Sequence, residues 1–194
     1  MSDPEAKADL HGSLRAARRT LLWKLDGLGE YDLRRPLTPT GTNLLGLVKH
    51  LVGCELGYFG HTFARPFPDP PPWLTDPEPH ADMWARSDET RQQLLDWYQR
   101  ACQHSDATID ALPLPAPGHV PGWPDSHSTV TLHRILVHMT AETQRHTGHA
   151  DILRELLDGT TGWQEYRPLM GKHDTAGWQH HRDRVERAAL DASR

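Results

Sequence analysis

Cysteine is scarce in this chain: two residues, Cys54 and Cys102, among 194. Two thiols cannot build a disulfide framework, so the reducing cytoplasm is the expected compartment. Long apolar runs are missing as well. No segment approaches the roughly 20 uninterrupted apolar residues that a membrane helix needs. The opening MSDPEAKADLHG has neither the basic nor the apolar region of a signal peptide. Basic runs are absent too. The net charge is −5, from 21 Lys and Arg against 26 Asp and Glu, which offers no patch to track a phosphate backbone and argues against nucleic acid as a partner. There is no glycine-rich phosphate loop, no motif for a Ser/His/Asp triad, no solenoid-length repeat and no convincing strand pattern.

Four segments carry helical periodicity. The first covers residues 4–28, with Asp3-Pro4 at its start and Leu10, Leu14, Ala17, Leu21, Leu25 and Leu28 on one face. The second covers residues 43–64, capped by Thr42 or Asn43, with the stripe Leu44, Leu47, Val48, Leu51, Glu55, Tyr58 and Phe59. The third starts at Ser87 and continues through Leu94, Tyr98, Ala101, Ser105 and Ile109. The fourth spans residues 130–158 and stops at Gly159. Between them lie Pro-rich segments, ARPFPDPPPWLTDPEP and LPLPAPGHVPGWPDSH, which cannot be helical because proline removes donors and clashes with the preceding turn. The expected fold is all-α: a four-helix bundle over residues 1–159, with long Pro-rich loops. Residues 160–194 form a short C-terminal extension expected to pack on the same domain. One short helix is expected near residues 181–190, with Trp163, Tyr166 and Trp178 as anchors.

What is plentiful is histidine, 14 residues, and it clusters where it should not. In LVHMTAETQRHTGHADILREL, advancing 100° per residue from His146 puts Leu132, Ile135, Met139, Ala150, Leu153 and Leu157 within about 40° of it. Glu142 falls at about −40°, with His138 and His149 near −80° and −60° on one shoulder. A carboxylate in an apolar stripe is costly unless it is paired or bound to a cation. Glu142 and His146, one turn apart and both facing inward, can chelate one metal ion. The third donor expected from a facing helix is His50 in LLGLVKHLVGCEL, on the flank of its stripe. Cys54 is its one nearby competitor and otherwise reads as a small buried apolar residue. Three N, N and O donors leave an open position, as catalytic metal sites do. The plainer alternative stays open here: a buried Glu and His satisfied by Ser, Tyr or backbone partners, with no metal.

The order LLWKLDGL, then RRPLTPTGTNLLGLVKHL, then HMTAETQRHTGHADILRELLDG resembles the DinB-like metalloenzymes, and within them the actinobacterial branch of mycothiol-dependent S-transferases and maleylpyruvate isomerases. The resemblance covers about residues 5–162. It implies a four-helix bundle, often a homodimer, holding one divalent metal through three side chains. The His-Glu-His set of the isomerase carries over onto His50, Glu142 and His146, in agreement with the helical count. The isomerase also has a separate C-terminal domain that helps bind thiol. Only a short tail follows the fourth helix here, so the resemblance points to thiol transfer rather than isomerisation.

The implied cofactors are one divalent metal, with zinc first and nickel, iron or cobalt after it, and mycothiol as thiol co-substrate. The implied partner is a small electrophile. A free thiol has a pKa of about 8.5 and is mostly protonated at neutral pH, whereas coordination to a divalent cation deprotonates it. His138 and His149 are expected to line the thiol pocket or orient the ligands, with Trp163 beside them and Arg154 and Asp151 as weaker candidates. Competing readings keep the metal but use a bound water in hydrolysis, keep the metal without turnover as a binding protein of stress response, or dispense with the metal.

Overall fold

The computed structural model describes residues 3–162 and 175–193. Four long helices carry the fold, and each stops where the sequence gives it a reason to. Helix α1 (Asp3–Trp23) is shorter than the periodicity suggests. After Trp23 the turn tightens, with Leu25 N donating to Leu22 O at 3.0 Å and Asp26 N to Trp23 O at 3.1 Å. Gly27 then takes φ +76°, which side-chain-bearing residues avoid. A short α2 (Glu30–Arg34), not anticipated in the linker, precedes α3 (Leu44–Glu55). Asn43 caps α3 by accepting from Gly46 N at 2.7 Å.

The second helix does not run regularly to Ala64. It passes into a π-helical turn, Leu56–Gly60, then a 3₁₀ turn, His61–Phe63, and ends with Ala64 left-handed at φ +53°. Helix α4 (Arg91–Ala111) begins later than Ser87, because Thr90 and Gln93 form a reciprocal capping box. The second Pro-rich loop holds a three-residue strand β1 (Pro117–His119), a turn of helix α5 (Asp125–Ser128) and a second strand β2 (Thr129–Thr131). The strands pair antiparallel with Gly118 opposite Val130. Helix α6 (Leu132–Asp158) starts on the Thr131 cap and stops at Gly159, φ +75°, as its sequence says it should. Contacts divide the chain into two units, Met1–Thr160 and Thr161–Arg194. The second contains α7 (Thr175–Ala192), longer than the short helix expected there and carrying Trp178. Trp163 and Tyr166 lie outside the described residues.

Within the first unit α1 packs on α6, and α3 packs on both α4 and α6. The core they enclose is two apolar clusters rather than one. Leu21, Leu25, Leu47, Leu51, Tyr98, Ala101, Ala150 and Leu153 belong to one cluster. Leu14, Phe59, Ile109, Leu132, Ile135 and Met139 belong to the other. Between them each long helix inserts a buried polar turn: Arg18 from α1, Glu55 from α3, Ser105 and Thr108 from α4, and Thr143, His146 and Thr147 from α6. Glu55 is fully buried, and a charge without water must be paired. Arg18 supplies a two-pronged bridge, Nε and Nη2 reaching the Glu55 carboxylate at 2.7 and 2.6 Å. The same guanidinium donates to Asp106 at 2.6 Å, and His11 joins Asp106 at 2.8 Å. The candidate site lies at the edge of this polar layer.

Candidate metal centre

The structure brings the three sequence-designated side chains together. His50, on α3, and His146, on α6, meet edge to face with ring centroids 4.9 Å apart. Glu142 lies between them, its Oε1 at 3.0 Å from His146 Nε2 and 3.9 Å from His50 Nε2. The i, i+4 spacing on α6 produces the first contact, and the packing of α3 on α6 produces the second. The side chains of His50 and Glu142 are each 23% exposed and that of His146 is 10% exposed, so solutes can reach the cluster from one side.

Two further residues are there: Cys54, weighed from the sequence only as a competitor to His50, and Asp82, which carried no sequence signal of its own. Cys54 Sγ is 3.4 Å from His50 Nε2. Ligand atoms of His50, Cys54 and Glu142 all lie within 4.8 Å of one another. Asp82 reaches in from the first Pro-rich loop, its Oδ2 at 2.7 Å from His50 Nδ1. That loop is pinned from α3 just after Asp82. Asn43 Nδ2 donates to Met83 O at 3.2 Å, and the fully buried Lys49 donates to Trp84 O at 3.0 Å and Glu89 at 2.8 Å. Phe67 and Trp73 from the same loop stack on Trp97 of α4 at 6.1 and 5.9 Å. No helical period marks Asp82 in the sequence. The nearest signal is Lys49, a charged residue inside the apolar run of α3.

The electrostatics suit a cation. A carboxylate has no proton to give, so the Asp82 contact keeps the hydrogen of His50 on Nδ1 and turns the Nε2 lone pair toward Cys54 and Glu142. Burial pushes the Glu142 carboxyl up, but the hydrogen bond and charge of His146, helped by Arg145 and His50, hold it below its ordinary value. His146 is pushed down, by burial first and by His50 second, which keeps the imidazole in the neutral form that ligates metals. The Cys54 thiol is pushed up to about 12 by burial and by Glu142, Glu55 and Asp82. A carboxylate, an imidazole lone pair and a thiol facing one another are a donor group that could hold a metal ion.

Beside the cluster opens a cavity of about 360 Å³ bounded by His50, Cys54, Tyr58, Leu74, Val120 and Trp123. The π-helical turn turns Tyr58 to this wall while its neighbour Phe59 enters the core. Of the residues expected to line a thiol pocket, His138 instead packs behind the wall, its ring 4.5 Å from Tyr58 and 5.2 Å from Trp123. Its Nε2 is buried without a hydrogen-bond partner, and burial lowers its pKa. His149 is exposed at the surface, with Nδ1 at 3.4 Å from His146 Nδ1. Trp163 lies outside the described residues. Arg154 and Asp151 are engaged in tying helix ends together: Arg154 donates to the carbonyls of Lys24 and Asp26 at 2.9 and 2.8 Å, and Asp151 pairs with Lys24 at 2.5 Å.

The family model described as Mycothiol-S-transferase matches residues 9–159. The chain belongs to that family. The match takes in α1 from residue 9, all of α3, α4 and α6, and both Pro-rich loops, so donor cluster and cavity lie within it. The membership agrees with the all-α bundle expected of the sequence, and it marks the chain as a transferase-family protein with a thiol substrate. A comparison with curated proteins found no match. Among the described residues no helix is long and apolar enough to cross a membrane.

Proposed function

We propose that this chain is a metal-dependent S-transferase in which mycothiol, or a similar low-molecular-weight thiol, gives up its proton and its thiolate sulfur forms a bond to a small carbon electrophile, displacing a leaving group or opening a ring. The ligands in this reading are His50, Glu142 and His146. The observation that carries it is the meeting of these three side chains, from two helices, beside a 360 Å³ cavity that His50 helps to line. Asp82 aims His50, the burial of His146 keeps its ring neutral, and Glu142 supplies the negative charge that offsets a divalent cation. Bound there, such a cation lowers the pKa of a thiol, which at its ordinary value of about 8.5 is mostly protonated at neutral pH. Tyr58, Leu74, Val120 and Trp123 give the electrophile an apolar wall and exclude water from it. Zinc is the first metal in this reading, a homodimer its assembly and the cytoplasm its setting.

Metal content of tag-free protein tests the reading. The expected result is about one divalent ion per chain in the parent, lost in Glu142→Ala and in His146→Ala, together with thiol-dependent consumption of an activated electrophile only by the parent. No bound metal in any of the three, at equal helicity, overturns it. Turnover with no added thiol overturns the transferase step and assigns the attack to water.

A further inference from the structure

Cys54 has no part in the proposal above, yet it stands inside the donor cluster. It lies one turn after His50 on α3, and its sulfur, an imidazole nitrogen of His50 and a carboxylate oxygen of Glu142 are mutually within 4.8 Å. The sulfur has His50 Nε2 at 3.4 Å and a carboxylate oxygen of Glu142 within 4.8 Å, both atoms of the kinds that bind divalent metals. Its side chain touches the edges of both apolar clusters, but the sulfur approaches His50 Nε2, the nitrogen whose lone pair Asp82 leaves available. Carboxylates, an imidazole lone pair and a sulfur atom crowd together favourably when a positive charge joins them.

We propose that Cys54 is itself a ligand of the divalent ion, so that the donor set is His50, Cys54, Glu142 and His146 and the substrate thiol enters as a fifth donor. The inference rests on the metal reading of the previous section and adds a soft donor to it. A set of two imidazoles and a carboxylate accepts manganese or iron(II) readily, whereas an added thiolate favours zinc, cobalt and other thiolate-tolerant ions and disfavours hard ones. The cation class assigned to the site is therefore borderline-soft, and Cys54 is the residue that makes it so.

Cobalt(II) titration of metal-free protein provides the readout, since a thiolate ligand adds a charge-transfer band in the near ultraviolet that nitrogen and oxygen donors do not give. A Cys102→Ser background leaves Cys54 as the one thiol. The expected result is a band that grows to one equivalent of cobalt and is absent from Cys54→Ser and Cys54→Ala in that background, with helicity unchanged. In the unmodified chain, zinc should slow alkylation of Cys54 by about tenfold or more, read by peptide mass, because a coordinated sulfur is withheld from attack. Manganese should not slow it. One equivalent of cobalt bound with no thiolate band, and Cys54 alkylated equally fast with and without zinc, overturns the assignment of Cys54 and leaves the three-ligand reading standing. Failure to bind any cobalt overturns both.

Discussion

His50 touches Asp82 through Nδ1 and faces the donor cluster through Nε2, and the first contact governs the second. A carboxylate on the far nitrogen of a ligating histidine fixes the tautomer, holds the ring plane and raises the basicity of the ligand. Asp82→Ala is therefore expected to weaken zinc binding by about 10–100-fold, measured by competition with a chromogenic chelator. Asp82→Asn keeps an oxygen that accepts from Nδ1–H and is expected to lose less; equal affinity in parent and Asp82→Ala would show that the contact has no such role. Glu142 and His146 are legible in the sequence because helix α6 repeats every 3.6 residues, so a polar side chain in the apolar stripe announces itself. His50 is legible more weakly, from the flank of its stripe. Asp82 is not legible at all, since its position comes from a loop whose path is set by Asn43 and Lys49. Cys54 enters only as a competitor to His50 and otherwise reads as apolar filler, because a sulfur atom carries no polarity signal on a helical wheel.

The helix α3 and the Pro-rich loop meet at Gly46, where an added Cβ would run into the carbonyl of Met83. That carbonyl also receives the Asn43 side chain, and Met83 is the neighbour of Asp82. Gly46→Ala must push the loop from the helix, an overpacking change that costs about 1–3 kcal/mol. The expected outcome is a lower urea midpoint accompanied by weaker zinc binding, although residue 46 touches none of the donors. A variant destabilised to that degree but with parental zinc affinity would show that the loop and Asp82 move independently. Long elements were legible from periodicity, with Asn43 opening α3 and Gly159 ending α6 as expected, while α6 begins two residues later than its pattern suggests, on the Thr131 cap. Short ones were not. The strands β1 and β2 have three residues each, too few to show an alternation. The π-helical turn after Glu55 leaves the apolar stripe unbroken in the sequence, because Tyr58 and Phe59 satisfy either register.

At the scale of the whole molecule, the polar layer between the two apolar clusters makes the bundle sensitive to acid. Asp106 is partly buried, which raises its carboxyl pKa, but hydrogen bonds and charges from His11 and Arg18 outweigh burial and hold it below its ordinary 3.8. A carboxyl depressed in the folded state contributes stability that is fully present above the ordinary carboxylate range and is lost as pH falls through the folded value. The urea midpoint is thus expected to lose this group's contribution only below about pH 4. Asp106→Asn should be less stable than the parent at pH 7 and should show a shallower loss on acidification. An identical slope in the two proteins would place the acid sensitivity elsewhere. From the sequence, Glu55 was visible as a residue in the apolar stripe, but its partner was not, since Arg18 and Asp106 come from helices whose relative height no local pattern encodes.

That relative height is what the layer sets. Leucine-lined helices can slide by one turn, about 5.4 Å, and still bury leucine against leucine. A bundle with Arg18, Glu55 and Asp106 at its waist cannot, because the slip would leave a guanidinium and two carboxylates facing hydrocarbon. The ion pairs thus act as an index mark that aligns α1, α3 and α4. Cys54 adjoins Glu55 in the chain and His50 lies one turn earlier on the same helix, so the mark that sets the height of α3 also sets the height at which His50 confronts Glu142 and His146.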